Sequence, residues 1–270
     1  MKIPSSPLRL IRLRGAAHSI LLLAVLALFP SCEKQPATSL SRELQEIHEG
    51  VLEGYLAEGE VPNSLTLLPP PPEDGSAALA LDQQMAAHYV ALEDDARKAQ
   101  AIQDNILAFP QATEAFNSIL THPISEETTP HAYMILRRSL ADAGLSTYAA
   151  KNHYQRPRPF MVNDTPVLTP DEEEALRKDG SYPSGHTAVG WAWALLLTEL
   201  FPEQSDAILK RGKEFGISRM VCNAHWQSDV AAGRTMGAAT VARLHANEGF
   251  LLDLEAAKQE IRKLNNASKS

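Results

Sequence analysis

Three short stretches of this 270-residue chain concentrate cations, histidines and one carboxylate at fixed spacings. The first runs from Lys151 to Pro159. Lys151 closes a helical stretch, and Pro157 and Pro159 force extended backbone after it. Lys151 and Arg158 therefore flank a helix exit and can converge on one anion, the arginine as a bidentate fork and the lysine as a point charge. The second stretch, Gly180 to Thr187, reads Gly-Ser-Tyr-Pro-Ser-Gly-His-Thr and precedes an apolar helix. Pro183 and Ser184 suit a helix start, Gly185 lets a ligand approach the backbone, and free N–H groups at a helix N-terminus attract anions. Ser184 adds a hydroxyl donor, and His186 can deliver a proton. The third runs from Ser218 and Arg219 to His225 and Asp229. The last two are four apart and would share a helix face, where a carboxylate bonded to one ring nitrogen leaves the other free as nucleophile or base. Taken singly, each stretch also reads as ordinary structure: a solvated basic turn, a helix cap, a structural His–Asp pair. His225 and Asp229 at one helix turn also suit a divalent metal.

The elements that must position these groups are helical. Leu79, Met85, Tyr89 and Leu92 recur at near-helical spacing from Ser76 onward. Further helices are expected over 112–121, 131–143, 145–153, 186–200, 204–215, 225–246 and 249–264, with Gly144, Pro202 and Gly249 as punctuation. Sustained period-two alternation is scarce. The expected architecture is all-α, a single-domain helical bundle over 76–264 with a flexible tail at 265–270. Residues 32–75 read as an N-terminal extension and proline-rich linker, with one amphipathic helix from about Leu40 to Leu56 and a polyproline run at Pro69 to Pro72. The loop 155–183 is the longest stretch without clear periodicity, and such loops are often functional.

At the front, Lys2, Arg9, Arg12 and Arg14 precede an apolar run from Ile20 to Phe29. A basic start and a core of about ten apolar residues describe an export signal over 1–31, shorter than the ~20 residues of a membrane span. Phe29-Pro30-Ser31-Cys32 resembles a lipoprotein cleavage box, with Cys32 as the residue that would carry lipid; Cys222 then remains as a free buried thiol. The formal charge is −8, and loss of 1–31 removes four cations and no anion, taking it to −12. So acidic a body argues against a nucleic-acid polymer as partner and requires any phosphate site to be a local basic pocket. A 44% hydrophobic composition argues against wholesale disorder.

Together the three stretches resemble the signature K-x6-R-P, P-S-G-H, S-R-x5-H-x3-D of the type 2 phosphatidic acid phosphatase superfamily, which includes vanadium haloperoxidases and bacterial nonspecific acid phosphatases. Eleven positions match in order: Lys151, Arg158, Pro159, Pro183, Ser184, Gly185, His186, Ser218, Arg219, His225 and Asp229. Leu67 to Pro72, Gly180 to Thr187, His225 to Val230 and Leu244-His245 resemble the class A nonspecific acid phosphatases in particular, over roughly residues 65–260. The resemblance implies a phosphate held by Lys151, Arg158, Ser184, Gly185 and Arg219. It implies His225 as nucleophile, Asp229 orienting its ring and His186 as general acid and then base, with no metal and no cofactor. It also implies an acidic optimum, small phosphomonoester substrates, a homo-oligomer and a periplasmic or cell-envelope location. Arg156 fails the six-residue gap and is expected to be an exposed neighbour. His153 is expected at most to help position the Lys151–Arg158 turn, and Trp191, Trp193 and Trp226 to be core or pocket wall. The rival readings are a vanadium-dependent haloperoxidase-like enzyme, a metal-dependent hydrolase using His225 and Asp229, and a noncatalytic phosphate-binding surface lipoprotein.

Overall fold

A computed structural model of the chain describes residues 38–268. The expected export signal and Cys32 lie outside the described residues, and among those described no helix is long and apolar enough to cross a membrane. The first elements are a short antiparallel hairpin, β1 (Glu46–His48) and β2 (Val51–Leu52), and a helical turn, α1 (Ser64–Leu67). The helices that follow are α2 (Ala77–Val90), α3 (Asp95–Gln103), α4 (Glu114–Asn117), α5 (Pro130–Leu145), α6 (Tyr148–Tyr154) and α7 (Glu173–Lys178). Then come α8 (Gly185–Leu200), α9 (Ser205–Val221), α10 (Gln227–Leu244) and α11 (Glu248–Ala267). Ser76, Asp94, Ser184 and Asn247 each cap a helix by accepting a first-turn N–H, which supplies partners to groups that helix geometry leaves unpaired. The fold is all-α apart from the hairpin, as expected.

Helix α8 is the axis of the bundle because it is apolar nearly all round. Its buried residues include Val189, Trp193, Leu196 and Leu197, and it packs on α5, α9, α10 and α11. The Trp193 indole N–H donates to the Leu136 carbonyl of α5 at 2.9 Å. Gly233 and Gly237 on α10 face the α8 backbone carbonyls of Ser184 and Ala188, so closely that a Cβ would collide with them. That contact sets the N-terminus of α10 beside the N-terminus of α8, and the second and third signature stretches meet there.

The expected helix from Leu40 to Leu56 does not form. Gly50 takes a left-handed φ of 74° and turns the chain into the hairpin. The Tyr55 and Leu56 N–H groups then donate to the Asp142 carboxylate of α5, at 2.9 and 3.0 Å, rather than into a helix. Tyr55 also donates its hydroxyl to Asp253 of α11 (2.8 Å), which accepts the Ser39 N–H as well, and the Arg138 guanidinium stacks over the Tyr55 ring at 3.8 Å. Pro69 is held by the Tyr182 hydroxyl at 2.8 Å, so the polyproline run reaches the second signature stretch.

Other boundaries differ in small ways. Helix α5 runs through Gly144, α9 continues to Val221, and α11 reaches Ala267, into the expected tail. The stretch 112–121 is a 3-10 turn and the single turn α4, and α10 starts at Gln227, not His225. The loop 155–183 contains α7 and is pinned to the end of α9, where the Asn223 amide donates to the Thr165 carbonyl at 2.7 Å.

Candidate active site

Helix α6 ends because Gln155 adopts a left-handed conformation, and Pro157 prevents its resumption. Lys151, in the last turn, is buried and donates from Nζ to the Gly180 carbonyl (2.6 Å) and to Asp179 Oδ2 (2.9 Å). Arg158 is 1% exposed and reaches the same Asp179 oxygen from Nη2 at 3.0 Å. Its Nε donates to the Leu176 and Asp179 carbonyls, which locks the guanidinium plane. One carboxylate thus bridges the two cations.

At the start of α8, the Ser184 hydroxyl oxygen accepts from Thr187 N (3.3 Å) and Thr187 Oγ1 (2.9 Å), which leaves its own hydrogen to donate elsewhere. Gly185 looks toward Thr147 and Lys151 with room for a Cβ at ordinary contact distance. His186 sets Nε2 3.1 Å from the Asn105 carbonyl. A carbonyl only accepts, so Nε2 carries the hydrogen and Nδ1 is the nitrogen left for other work.

Arg219 lies in the last turn of α9, fully buried, with Nη1 on the Asn105 side-chain oxygen. Its Nε and Nη2 are buried with no hydrogen-bond partner among the described residues. Ser218 beside it donates to Asp104 Oδ2 at 2.5 Å, and this bond ties α9 to the end of α3 and places Asn105 next to both His186 and Arg219. His225 follows in the α9–α10 connection. Its Nε2 accepts from Arg158 Nη1 at 2.9 Å, and since guanidinium only donates, the hydrogen sits on Nδ1. Nδ1 faces Asp229 Oδ2 at 3.4 Å, beyond good hydrogen-bond geometry. The two residues do not share a helix face. Asp229 is the third residue of α10 and caps it, accepting the Trp226 N–H at 2.8 Å, while His225 precedes the helix.

Arg156 is not an exposed neighbour. It is 8% exposed and donates from Nη1 to Asp229 Oδ1 (2.6 Å) and from Nη2 to Asp82 Oδ2 (2.8 Å) of α2. Asp82 in turn accepts the Ser228 N–H and hydroxyl. The gap rule correctly assigns Arg158 to the cation cluster. It fails for Arg156 because that side chain runs the opposite way, behind Asp229. His153 is exposed and lies edge-on to Tyr154.

Lys151, Arg158, Asp179, Gly185, His186 and His225 line one cavity of about 520 Å³; Ser184, Arg219 and Asp229 are fully buried and are not among its lining residues. The PAP2 superfamily profile matches residues 132–249, which hold every signature residue. A non-specific acid phosphatase of Providencia stuartii is 44% identical over 78% of this chain and 85% of its own length. A non-specific acid phosphatase of Salmonella typhimurium is 38% identical over 76% and 82%, and an acid phosphatase of Zymomonas mobilis 39% over 74% and 75%. The chain belongs to the PAP2 superfamily.

Burial of so many cations gives this PAP2 site its electrostatics. Lys151 is pushed down to about 8, chiefly by burial and then by Arg158. Burial likewise lowers Arg158 to about 10. Both histidines are held well below the usual imidazole value. For His186 the causes are burial and then Arg219; for His225 they are burial, then Arg158, Lys151 and Arg219. Asp229 is raised by burial, against the opposing pull of Arg156. The cluster is thus an electrostatic well for an anion, with two neutral imidazoles in it. No group of three or more histidine, cysteine and acidic side chains is gathered as a metal site among the described residues.

Sequence reasoning missed Arg156, Asp82, Asn105 and Asp179. Arg156 and Asp179 adjoin signature residues, and a buried carboxylate at 229 that needs a partner was the available signal for Arg156. Nothing in the sequence marks Asp82 or Asn105, which reach the site only through packing of α2 and α3.

Proposed function

We propose that the protein is an acid phosphatase, hydrolysing phosphomonoesters of broad specificity through a phosphohistidine at His225, without a metal ion. The observation that carries this reading is the placement of His225 Nε2 against Arg158 Nη1 at 2.9 Å, with Nδ1 turned to Asp229 and His186 in the same cavity. The relatives named acid phosphatase support the same reaction class.

In this mechanism the phosphate dianion takes over the hydrogen bonds of Lys151 and Arg158 and supplies partners for Arg219 Nε and Nη2, with Ser184 Oγ–H and the Gly185 N–H as further donors. Release of Arg158 frees the Nε2 lone pair of His225, which attacks phosphorus in line. The P–O ester bond breaks as the P–N bond forms, and His186, protonated on Nδ1 once the phosphate is bound, gives that proton to the leaving oxygen and returns to the neutral form. Asp229 stabilises the charge left on the ring. Neutral His186 then takes a proton from water, the hydroxide displaces His225 from phosphorus, and inorganic phosphate leaves. Three cations supply the charge neutralisation that a metal ion provides elsewhere.

The test is a phosphate-ester panel from pH 4 to 9 with and without chelator, together with alkaline-quench trapping of labelled phosphoenzyme. Turnover that survives chelator and a trapped phosphoramidate absent from His225→Ala support the reading; loss of activity in chelator, or near wild-type turnover by His225→Ala, overturns it. The basic and apolar residues 1–31 and Cys32 support export to the cell envelope, with Cys32 as a lipid anchor. Membrane fractionation of Cys32→Ser tests the anchor.

A further inference from the structure

Large apolar side chains left half in solvent are ordinary when scattered, and informative when grouped. Ile47, Leu145 and Tyr148 are 50%, 48% and 47% exposed, and all three line the cavity that holds His186, Lys151 and His225. Ile47 comes from β1, Leu145 from the last turn of α5 and Tyr148 from the first turn of α6. Val51 of β2 and Leu140 of α5 extend the same wall.

The cavity is therefore polarised. Its buried end carries the cations. Its open end is mainly apolar, with His48 of β1 as its titratable side chain, and the lysine, arginine and carboxylate that line the cavity, Lys151, Arg158 and Asp179, are engaged with one another at the phosphate end. The hairpin is held there by specific bonds: Asp142 takes the Tyr55 and Leu56 N–H groups, and Gly54 lies so near the Asp142 carboxylate that a Cβ would collide with it.

We propose that the β1–β2 hairpin and the α5–α6 junction form a leaving-group subsite for an apolar or aromatic alcohol. The inference rests on the phosphatase reading. A phosphoester with phosphorus at His225 and its ester oxygen toward His186 must direct its alcohol outward. Ile47, Leu145 and Tyr148 are the surfaces it meets there. Aryl and alkyl monophosphates gain this burial. A leaving group with a second phosphate finds no unpaired lysine or arginine among the lining residues described.

The experiment uses the unmodified protein and a series of alkylphosphonates from methyl to hexyl, which keep the phosphate-like head and cannot be hydrolysed. Inhibition constants are expected to fall by roughly two- to fourfold per added methylene until the wall is covered, the scale of partial methylene burial. In Ile47→Ser and Tyr148→Ser that slope flattens. The kcat/KM ratio of 1-naphthyl phosphate to glycerol 2-phosphate then drops by about tenfold relative to the parent chain. Both positions are half-exposed, so the variants keep their fold, and the inhibitor slope of the parent chain needs no variant. Constant inhibition along the series, or an unchanged ratio in both variants, overturns the subsite while leaving the phosphatase reading intact. Failure to turn over either ester overturns that reading and the subsite with it.

Discussion

Arg156 Nη1 lies 2.6 Å from Asp229 Oδ1, with the arginine side chain 8% exposed and the carboxylate fully buried. Asp229 thus has two tasks on two oxygens: Oδ1 takes Arg156, and Oδ2 caps α10 and faces His225. Arg156→Ala strands a buried carboxylate, and breaking such a pair typically costs about 3–5 kcal/mol. The expected outcome is a large drop in melting temperature together with loss of turnover. Arg156→Lys should recover much of the stability and less of the kcat, because an ammonium cannot hold Asp82 and Asp229 in one fixed fork. Thermal unfolding and steady-state kinetics on both variants check this.

Asp179 occupies the hydrogen-bonding positions of Lys151 and Arg158 that the mechanism assigns to phosphate. A bound phosphate must displace it. Asp179→Asn removes the competing charge, so inorganic phosphate should inhibit the variant more strongly, by about fivefold or more, the scale of a hydrogen bond to a charged group. Product-inhibition constants measured at one pH and ionic strength read this out.

Asn105 serves two groups from just past the end of α3, its carbonyl holding His186 and its side chain holding Arg219. Asn105→Ala spares the first bond and removes the second. Arg219 would then have a third nitrogen without a partner beside Nε and Nη2. A loss of roughly tenfold in kcat/KM is expected, from the worth of one charged hydrogen bond. Unaltered kinetics would show that Asn105 does not position Arg219.

The pH behaviour follows from the two histidines. Both sit well below the unfolded value of about 6.5, so between their folded pKa and that value the unfolded chain binds protons that the folded chain does not. Their contribution to stability is present above about 6.5 and is lost as pH falls. Asp142 runs the other way: burial lifts it to about 6, so its contribution is present below its unfolded value near 3.9 and is lost as pH rises through about 6. Phosphate brings negative charge to Arg219 and Arg158, which depress both rings, and to Lys151, which depresses His225. Saturating phosphate should therefore raise the His186 and His225 pKa values, bringing His186 into its protonated, proton-donating form in mildly acidic solution. Histidine ring NMR titrations with and without phosphate measure the direction; a downward or absent shift contradicts this electrostatic account.

The chain sequence by itself determined the all-α class, the core helices near 131–143, 186–200 and 204–215, and the three signature stretches that the fold gathers around one cavity. These are properties of local pattern. Apolar spacing, proline and glycine punctuation and helix-cap residues act within a few positions, and the signature spacings lie within single stretches. Only the tertiary structure decided what lies behind the signature. Arg156 reaches Asp82 across 74 residues and Asp229 across 73, and no local pattern reports which buried carboxylate will need which cation. The region from Leu40 to Leu56 shows the same limit in reverse. Its apolar spacing suits a helix, but in the folded chain Asp142, Asp253 and Arg138 compete for its backbone and side chains. Those groups stand 85 residues away or more from the atoms they hold at Ser39 N, Glu53 O, Tyr55 N and Leu56 N, and they draw the segment into a hairpin over the cavity. A weak local preference gives way there to buried hydrogen bonds that exist only once α5 and α11 are in place.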